Sequence, residues 1–582
     1  MDSARVHASR ACRQSWACDR DSGQDKRTVR KDTQSYVSVL EARVATLQAR
    51  LDALESARPD DQDSQPVPVG RLEFDGNGEL RWHNETNAFS SVPIDPFAVP
   101  PPPLCLPVPL ADEVHAELVN AAFTWHFSAF RLVEQQSFIE GLLDGRRSSI
   151  YSPFLHLAVL AIGSRYLASA PPELCSPPHD TASRGEIFAN AALELLSTEI
   201  AAPTFSTIRG LMSLAIYFAG VAKPHQGWIY AGLAYRICDD FGLHLDASLP
   251  DGVNDELRMQ RRRLFWTCFT DDVNWSLCIG RPCKFDLDSV HQPELELADP
   301  SSPAGSGAAW AYETRLQPIA WHISRLGYAH LGDSAQQERR ALVEDLWEKL
   351  RACVVPPSLR AAGAASITPD VFELEVLYHL LVILLFKPFY ISPASQELHA
   401  LARAQCDSSS ASVADLVKQY QAGPGLRFAS NNVYHAIFHG GAMAAQVASR
   451  ADNWSTRARA LDDVNVCVGA LIEHAETWPS AALVASALAG VRDAVPARCS
   501  PFGTAAEPGP ALEPLGALGP LGPSGLGRTA LSGMGIYAAA LSPWDDVDFA
   551  RQFGLDEYLG VDWNVGRCVV DALLPRHPHA SR

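Results

Sequence analysis

An all-α protein, built around one large helical domain with flexible appendages, is what the sequence predicts, and three observations predict it. From about Val114 to Arg498, apolar residues recur at three- and four-residue steps in segments closed by Gly, Pro and Ser clusters. Strand-type alternation is scarce over the same range. Apolar residues make up 47% of the 582-residue chain against 20% charged. That proportion supplies a sizeable core, and the length exceeds what one simple core needs, so one large domain with appendages or two domains is expected. The 41 prolines and 38 glycines mark long connectors.

Charge and cysteine usage exclude other classes. A formal net charge of −19 argues against a surface that binds polyanions throughout, because phosphate contact needs clustered Lys and Arg. Any nucleic-acid contact must therefore be local. The thirteen cysteines show no framework spacing and read as reduced thiols of an intracellular protein. No charged segment followed by an apolar run opens the chain as a secretory leader would. The longest apolar run, Val376 to Phe386, lies between Glu375 and Lys387 and is too short to cross a bilayer. It reads as a buried helix, and no membrane partner is expected.

Taken in order, residues 1–32 are polar and carry a basic cluster of Lys26, Arg27, Arg30 and Lys31. In residues 33–58, Val37, Leu40, Val44, Leu47, Leu51 and Leu54 alternate spacings of three and four, the seam of a short parallel coiled coil that ends at Pro59. The alternative is an amphipathic helix docked on its own domain. Residues 59–113 read as linker, with an Asp/Gln/Pro stretch, an irregular segment from Arg71 to Ser91, and a proline-rich connector from Ile94 to Pro109 that cannot be helical.

The helical domain is expected over 114–498. Gln226 to Leu243 is one helix, with Ile229, Leu233, Ile237 and Phe241 at four-residue steps and Gly242 as its stop. Glu256 to Ile279 is another, with Leu264, Phe265, Cys268, Phe269 and Ser276 on one side; its core side should pack against Trp228, Leu233, Ile237 and Phe241. A third, Phe372 to Phe386, is apolar nearly all round and should stop before Pro388. Residues 500–535 are a Gly/Pro-rich linker. Beyond it, 540–566 mixes carboxylates with Trp544, Phe549, Phe553, Tyr558 and Trp563, a composition of activation segments that recruit a coactivator; the alternative is a helix packing back on the domain.

Several stretches carry a resemblance. They are Asp25-Lys26-Arg27 with Ser35-Tyr36-Val37 onward to Val44, Gly78-Glu79-Leu80-Arg81-Trp82 onward to Ser90, and Gly227-Trp228-Ile229-Tyr230-Ala231-Gly232-Leu233-Ala234-Tyr235-Arg236. The last is followed by Gly242-Leu243-His244, by Arg261-Arg262-Arg263-Leu264-Phe265-Trp266 and by Gly280-Arg281-Pro282, with a weaker match from Tyr378-His379 to Lys387-Pro388-Phe389. Over residues 25 to about 440 the chain resembles the fungal zinc-cluster transcription factors, and within 205–300 it is most similar to their regulatory domain, also named for xylanolytic activators. The resemblance implies a nuclear regulator of RNA polymerase II transcription that is a homodimer and binds DNA through a zinc cluster in the major groove. It places Lys26, Arg27, Arg30 and Lys31 against phosphates. It marks Gly227, Trp228, Arg236, Gly242, Arg263, Trp266, Asp272, Gly280, Arg281 and Pro282 as the motif of the regulatory domain.

The zinc-binding part departs from the family pattern of six cysteines beginning Cys-x2-Cys-x6-Cys. Only Cys12 and Cys18 precede the coil, read as remnants of that cluster at a truncated or wrongly joined start, and two thiolates cannot build a binuclear site. Zinc is thus the family's cofactor, while none is expected for the chain as written. A regulator without a cluster, acting through protein partners, is the first alternative; a helical enzyme or scaffold is the second.

Catalytic patterns do not support an enzyme. His435 and His439 are four apart on a helix, but Ala436 stands where a metalloprotease has its Glu, so a core or surface histidine pair is expected rather than a metal site. Asp239-Asp240 and Asp271-Asp272 are neighbours that must point in different directions on a helix, which favours structural ion pairs. Asp272 shares the apolar side of its helix with Phe265 and Phe269 and needs a partner, for which Arg281 or Arg236 is expected. A ligand-sensing role for Asp272 is the alternative.

Overall fold

Helix boundaries follow local chemistry. Ser152 accepts a hydrogen bond from the Leu155 amide at 3.1 Å and is followed by a proline at the first helical position; Asn254 accepts from Leu257 at 2.8 Å, ahead of Asp255 and Glu256; Asn453 accepts from Thr456 at 2.7 Å. Such caps satisfy amides that the first turn leaves without partners, and acidic residues there suit the helix dipole. A computed structural model describes residues 71–74, 80–83 and, with short interruptions, 106–495. The chain divides into two units, Met1–Val69 and Gly70–Arg582, and all described residues belong to the second. Cys12, Cys18, the basic cluster at Lys26 to Lys31, the Val37 to Leu54 seam, the 500–535 linker and the acidic segment from Trp544 to Trp563 lie outside the described residues.

Fourteen α-helices follow one β-hairpin among the described residues. The strands are β1 (Arg71–Phe74) and β2 (Leu80–His83), paired antiparallel with Leu72 opposite Trp82. The helices are α1 (Asp112–Ala121), α2 (Gln135–Asp144), α3 (Pro153–Tyr166), α4 (Glu186–Ala201), α5 (Phe205–Gly220), α6 (Pro224–Asp240) and α7 (Asp255–Ile279). They continue as α8 (Ala308–Tyr328), α9 (Gln336–Ala352), α10 (Pro369–Ile391), α11 (Gln396–Gln421), α12 (Val433–Arg450), α13 (Trp454–His474) and α14 (Ser480–Asp493).

Two helices form the centre. Every residue of α3 is buried, including His156, Ser164 and Arg165, and it packs against α1, α4 and α5. The Arg165 guanidinium donates to the carbonyls of Thr477 at 2.7 Å, Ala182 at 2.9 Å and Arg184 at 3.0 Å, tying α3 to the turn before α14. The second centre is α10, with Phe372, Leu381, Ile383 and Phe386 buried among α8, α11 and α12.

Three expectations are corrected here. The segment from Arg71 to Ser91 is not irregular throughout, since it contains the hairpin. Short strands of this kind are hard to read because tertiary docking, rather than alternation, holds them. Leu72 and Leu80 are buried, and Arg81 on β2 pairs with Asp240, donates to the Pro203 carbonyl at 3.1 Å and stacks 4.2 Å from the Phe241 ring centre. Helix α10 does not stop before Pro388 but runs through it to Ile391. Proline removes one N–H and crowds the carbonyl four residues back, yet only the last turn is affected, and buried Phe389 and Tyr390 hold it down. The Tyr390 hydroxyl donates to Asp407 on α11 at 3.1 Å.

The third correction concerns α6, where Ile237 and Phe241 are buried as expected but Ile229 and Leu233 do not share their inward face. Ile229 is 60% exposed, Leu233 and Trp228 are half-buried, and the buried positions are Gly227, Ala231, Ala234, Tyr235, Ile237 and Cys238. Small residues point inward because α6 lies close on α5. A Cβ at Gly227 would come 2.5 Å from the Ala215 carbonyl oxygen and 3.0 Å from Trp275.

Candidate functional site

The motif from Gly227 to Pro282 spans α6, the turn after it, α7 and the loop beyond α7. Gly242, at φ +56°, closes α6 as the sequence predicts. Its amide donates to Asp239 and that of Leu243 to Cys238, the paired bonds of a left-handed helix stop. Arg261 secures that stop by donating to the carbonyls of Phe241 at 2.8 Å and Gly242 at 2.9 Å. Arg261 is the buried member of the Arg261-Arg262-Arg263 run, whereas Arg263 is exposed. Trp266 is buried and meets Phe265 and Phe269 edge to face.

At the far end of α7, Gly280 with φ +62° ends the helix and turns the chain back. Arg281 stacks 4.2 Å from the Trp228 ring centre and donates to His225 at 3.2 Å; Pro282 is exposed. Phe285 then enters the core between Tyr235, Phe265 and Phe269. Asp272 accepts from the backbone amides of Lys284 at 2.7 Å and Phe285 at 2.8 Å. Neither Arg281 nor Arg236 is its partner as expected; Arg236 is exposed. The loop's own amides reach the carboxylate first because Gly280 folds them over α7.

The adjacent carboxylates part as helix geometry requires. Asp271 accepts from the Tyr235 hydroxyl at 2.8 Å, Asp239 from Lys284 at 2.6 Å, and Asp240 from Arg81. Burial pushes Asp271 and Asp272 up to about 7, against the pull of the Tyr235 hydroxyl on the first and the Phe285 and Lys284 amides on the second.

A second site lies beside the C-terminal half of α7, and sequence reasoning did not find it. A cavity of about 40 Å³ is lined by Asn274 and Cys278 from α7, Glu313 from α8, Glu373 from α10, and Asn432 and His435 at the start of α12. Ser430 hydrogen-bonds the Glu373 carboxyl through its side chain and amide, but Glu373 Oε1 is fully buried without a partner. Burial pushes Glu313 up to about 7, and burial with the Glu313 charge pushes Glu373 up to about 8. Glu373 and Glu375 at the start of the otherwise mostly apolar Phe372 to Phe386 pattern were the available signal; Glu313 offered none. His435 and His439 are buried ring to ring, centres 4.7 Å apart, and burial lowers both, with His435 down to about 4. They pack, as expected.

The described residues do not fit a zinc cluster, which needs four donors per ion and thiolates rather than thiols. Their cysteines are dispersed and buried or half-buried, and burial pushes Cys278 and Cys467 up to about 12. Among the described residues no group of three or more His, Cys, Asp or Glu side chains is placed to hold a metal, and no helix is long and apolar enough to cross a membrane.

Comparison with known proteins identifies the helical domain. Residues 122–311 match the fungal specific transcription factor domain. The chain is similar to the nitrogen assimilation transcription factor nit-4 of Neurospora crassa, 26% identical over 396 residues that cover 62% of this chain and 35% of the relative. It is also 26% identical to the nitrogen assimilation transcription factor nirA of Emericella nidulans, over 53% of this chain and 37% of the relative. An uncharacterized transcriptional regulatory protein of Schizosaccharomyces pombe is 32% identical over 169 residues, 28% of this chain and 26% of the relative. The chain thus spans about a third of the length of the curated relatives nit-4 and nirA. Residues 122–311 are thus similar to the fungal specific transcription factor domain, and the relatives matched are named as transcription factors or transcriptional regulatory proteins.

Proposed function

We propose that this protein regulates transcription by RNA polymerase II in the nucleus as a DNA-binding homodimer. The match over residues 122–311 carries the reading, together with relatives named as transcription factors. In this reading Val37, Leu40, Val44, Leu47, Leu51 and Leu54 form the dimer seam, and Lys26, Arg27, Arg30 and Lys31 lie along phosphates. The segment containing Trp544, Phe549, Phe553, Tyr558 and Trp563 recruits a coactivator, its charge keeping the aromatics solvated until a partner groove takes them. The helical domain between them is the regulatory element.

The test is the full chain expressed in a fungal host, with its location, its crosslinks to chromatin and the transcripts it changes all measured. Leu47→Glu puts a carboxylate into the seam and should abolish dimers and chromatin occupancy together. Replacing Phe549, Phe553 and Trp563 with alanine should leave occupancy intact and remove activation. A protein that stays outside the nucleus and changes no transcript would refute the reading.

A second reading, a regulator that acts through protein partners without touching DNA, is favoured by one observation. Cys12 and Cys18 supply two of the six thiolates a binuclear cluster needs. It predicts no stoichiometric zinc in the purified chain; two ions per chain, lost on replacing both cysteines, would remove it.

A further inference from the structure

The cavity between α7, α8, α10 and α12 leaves a carboxylate oxygen unsatisfied. Its volume of about 40 Å³ holds roughly three waters or a molecule of a few heavy atoms, at about 10–15 Å³ for each water. Two carboxyl groups face it, from Glu313 and Glu373, and no Lys or Arg lines it. Glu373 Oε1 is fully buried and unpartnered, and the half-buried Glu313 lines the same space. Buried polar groups are ordinarily paired, and buried carboxylates especially so. A bare carboxylate oxygen, with a second carboxyl from another helix lining the same space, marks a place where the partner comes from outside the chain.

The lining selects the chemistry of that partner. Two carboxylates call for a positive charge, and the side-chain oxygens of Asn274 and Asn432 add neutral acceptors. A hard divalent cation would take six to eight oxygen ligands or keep several waters, more than this small cavity accommodates. An ammonium head group has N–H donors directed at several acceptors at once, which a spherical ion lacks. Leu277, Val376 and Leu380 add apolar lining suited to a methyl or ethyl group.

We propose that this cavity is a binding site for a small primary ammonium ion, ammonium itself or a short alkylammonium, held between Glu313 and Glu373. The assignment goes beyond the transcriptional reading and does not depend on it, because binding is measured directly.

Binding is coupled to protons. The ionisable groups around the pair are Asp370 on α10, Tyr420 on α11, Tyr166 on α3, Cys278 on α7 and His435 on α12, the last also feeling Lys387. With Glu313 and Glu373 pushed up to about 7 and about 8, the empty pair retains a proton at neutral pH, and the ammonium ion must displace it. Affinity therefore rises with pH, by about tenfold or more between pH 6 and pH 8.

The experiment uses the full-length chain, with methylammonium chloride as probe and equal concentrations of tetramethylammonium chloride and potassium chloride as references. Methylammonium should raise the melting temperature at pH 8 beyond both references, and far less at pH 6. Glu313→Gln and Glu373→Gln should each abolish the methylammonium response while raising the melting temperature of the unliganded protein at pH 8. Titration calorimetry at pH 8 in two buffers of different ionisation enthalpy should show proton release. Equal shifts from all three salts, or a response that survives both glutamine variants, would overturn the assignment. If a glutamine variant fails to fold, the salt and pH comparison on the unsubstituted chain decides by itself.

Discussion

Two pairs of carboxyl groups lie at α7, Asp271 and Asp272 buried on the helix itself and Glu313 and Glu373 half-buried at the cavity beside it, and they differ most in what surrounds them. Asp271 and Asp272 are each given a partner by the fold, the Tyr235 hydroxyl for one and the amides of Lys284 and Phe285 for the other. Glu313 and Glu373 face a cavity, with one Glu373 oxygen left bare. All four are pushed up to about 7 or 8, chiefly by burial, so the perturbation alone does not separate a structural carboxylate from a binding one. Partner geometry does: a satisfied carboxylate rigidifies its loop, and an unsatisfied one has affinity to spare.

Acidification should have the largest effect on the domain that holds both pairs. Burial lowers His126 and His156 to about 3 and His379, His435 and His474 to about 4. A histidine whose folded pKa is depressed adds stability above its unfolded value of roughly 6.5, and that stability is lost as pH falls toward the folded value. The protein should unfold between about pH 6 and 4 while both carboxyl pairs remain neutral and blameless. The carboxyls act in the opposite sense: their raised pKa values favour the fold at low pH, and this contribution fades as pH rises through about 7 to 8. Circular dichroism melts across pH 4 to 9 should show a maximum near pH 6 to 7, and a stability that keeps rising to pH 9 would contradict it.

Substitutions separate the two pairs more sharply. Phe265→Ala, which empties the ring cluster under the Asp272 loop, should cost about 3–5 kcal/mol in denaturant unfolding. Asp272→Ala leaves two amides without an acceptor and should cost roughly 2–4 kcal/mol. An effect no larger than that of a surface change would mean the loop is held by Phe285 alone. Glu313→Gln should have the opposite sign, stabilising the unliganded protein at pH 8 by on the order of 1 kcal/mol and having little effect at pH 5. The smallest change is expected at Arg263, where alanine should stay within about 0.5 kcal/mol, whereas Arg261→Ala should cost about 2 kcal/mol by releasing the α6 stop.

Much of the architecture was legible because it is written in nearest-neighbour chemistry. The stop at Gly242 could be placed because a left-handed residue is cheap only for glycine, and the inward face of α7 because Leu264, Phe265, Cys268 and Phe269 repeat at helical spacing. That Asp272 is buried followed from the same face. The face of α6 was misread because close helix packing uses Gly227, Ala231 and Ala234, which carry little apolar signal, and leaves the more conspicuous Ile229 in solvent.

By itself, then, the sequence determined the helical class, the stop at Gly242, and which residues of α7 turn inward, since each depends on residues within one or two turns of one another. The tertiary structure alone decided that backbone amides rather than arginine satisfy Asp272, that the hairpin closes on Asp240 and Phe241, and that Glu313 and Glu373 share one cavity. Those outcomes depend on where separate helices come to rest, and packing, unlike periodicity, leaves no spacing in the chain from which distant partners can be paired.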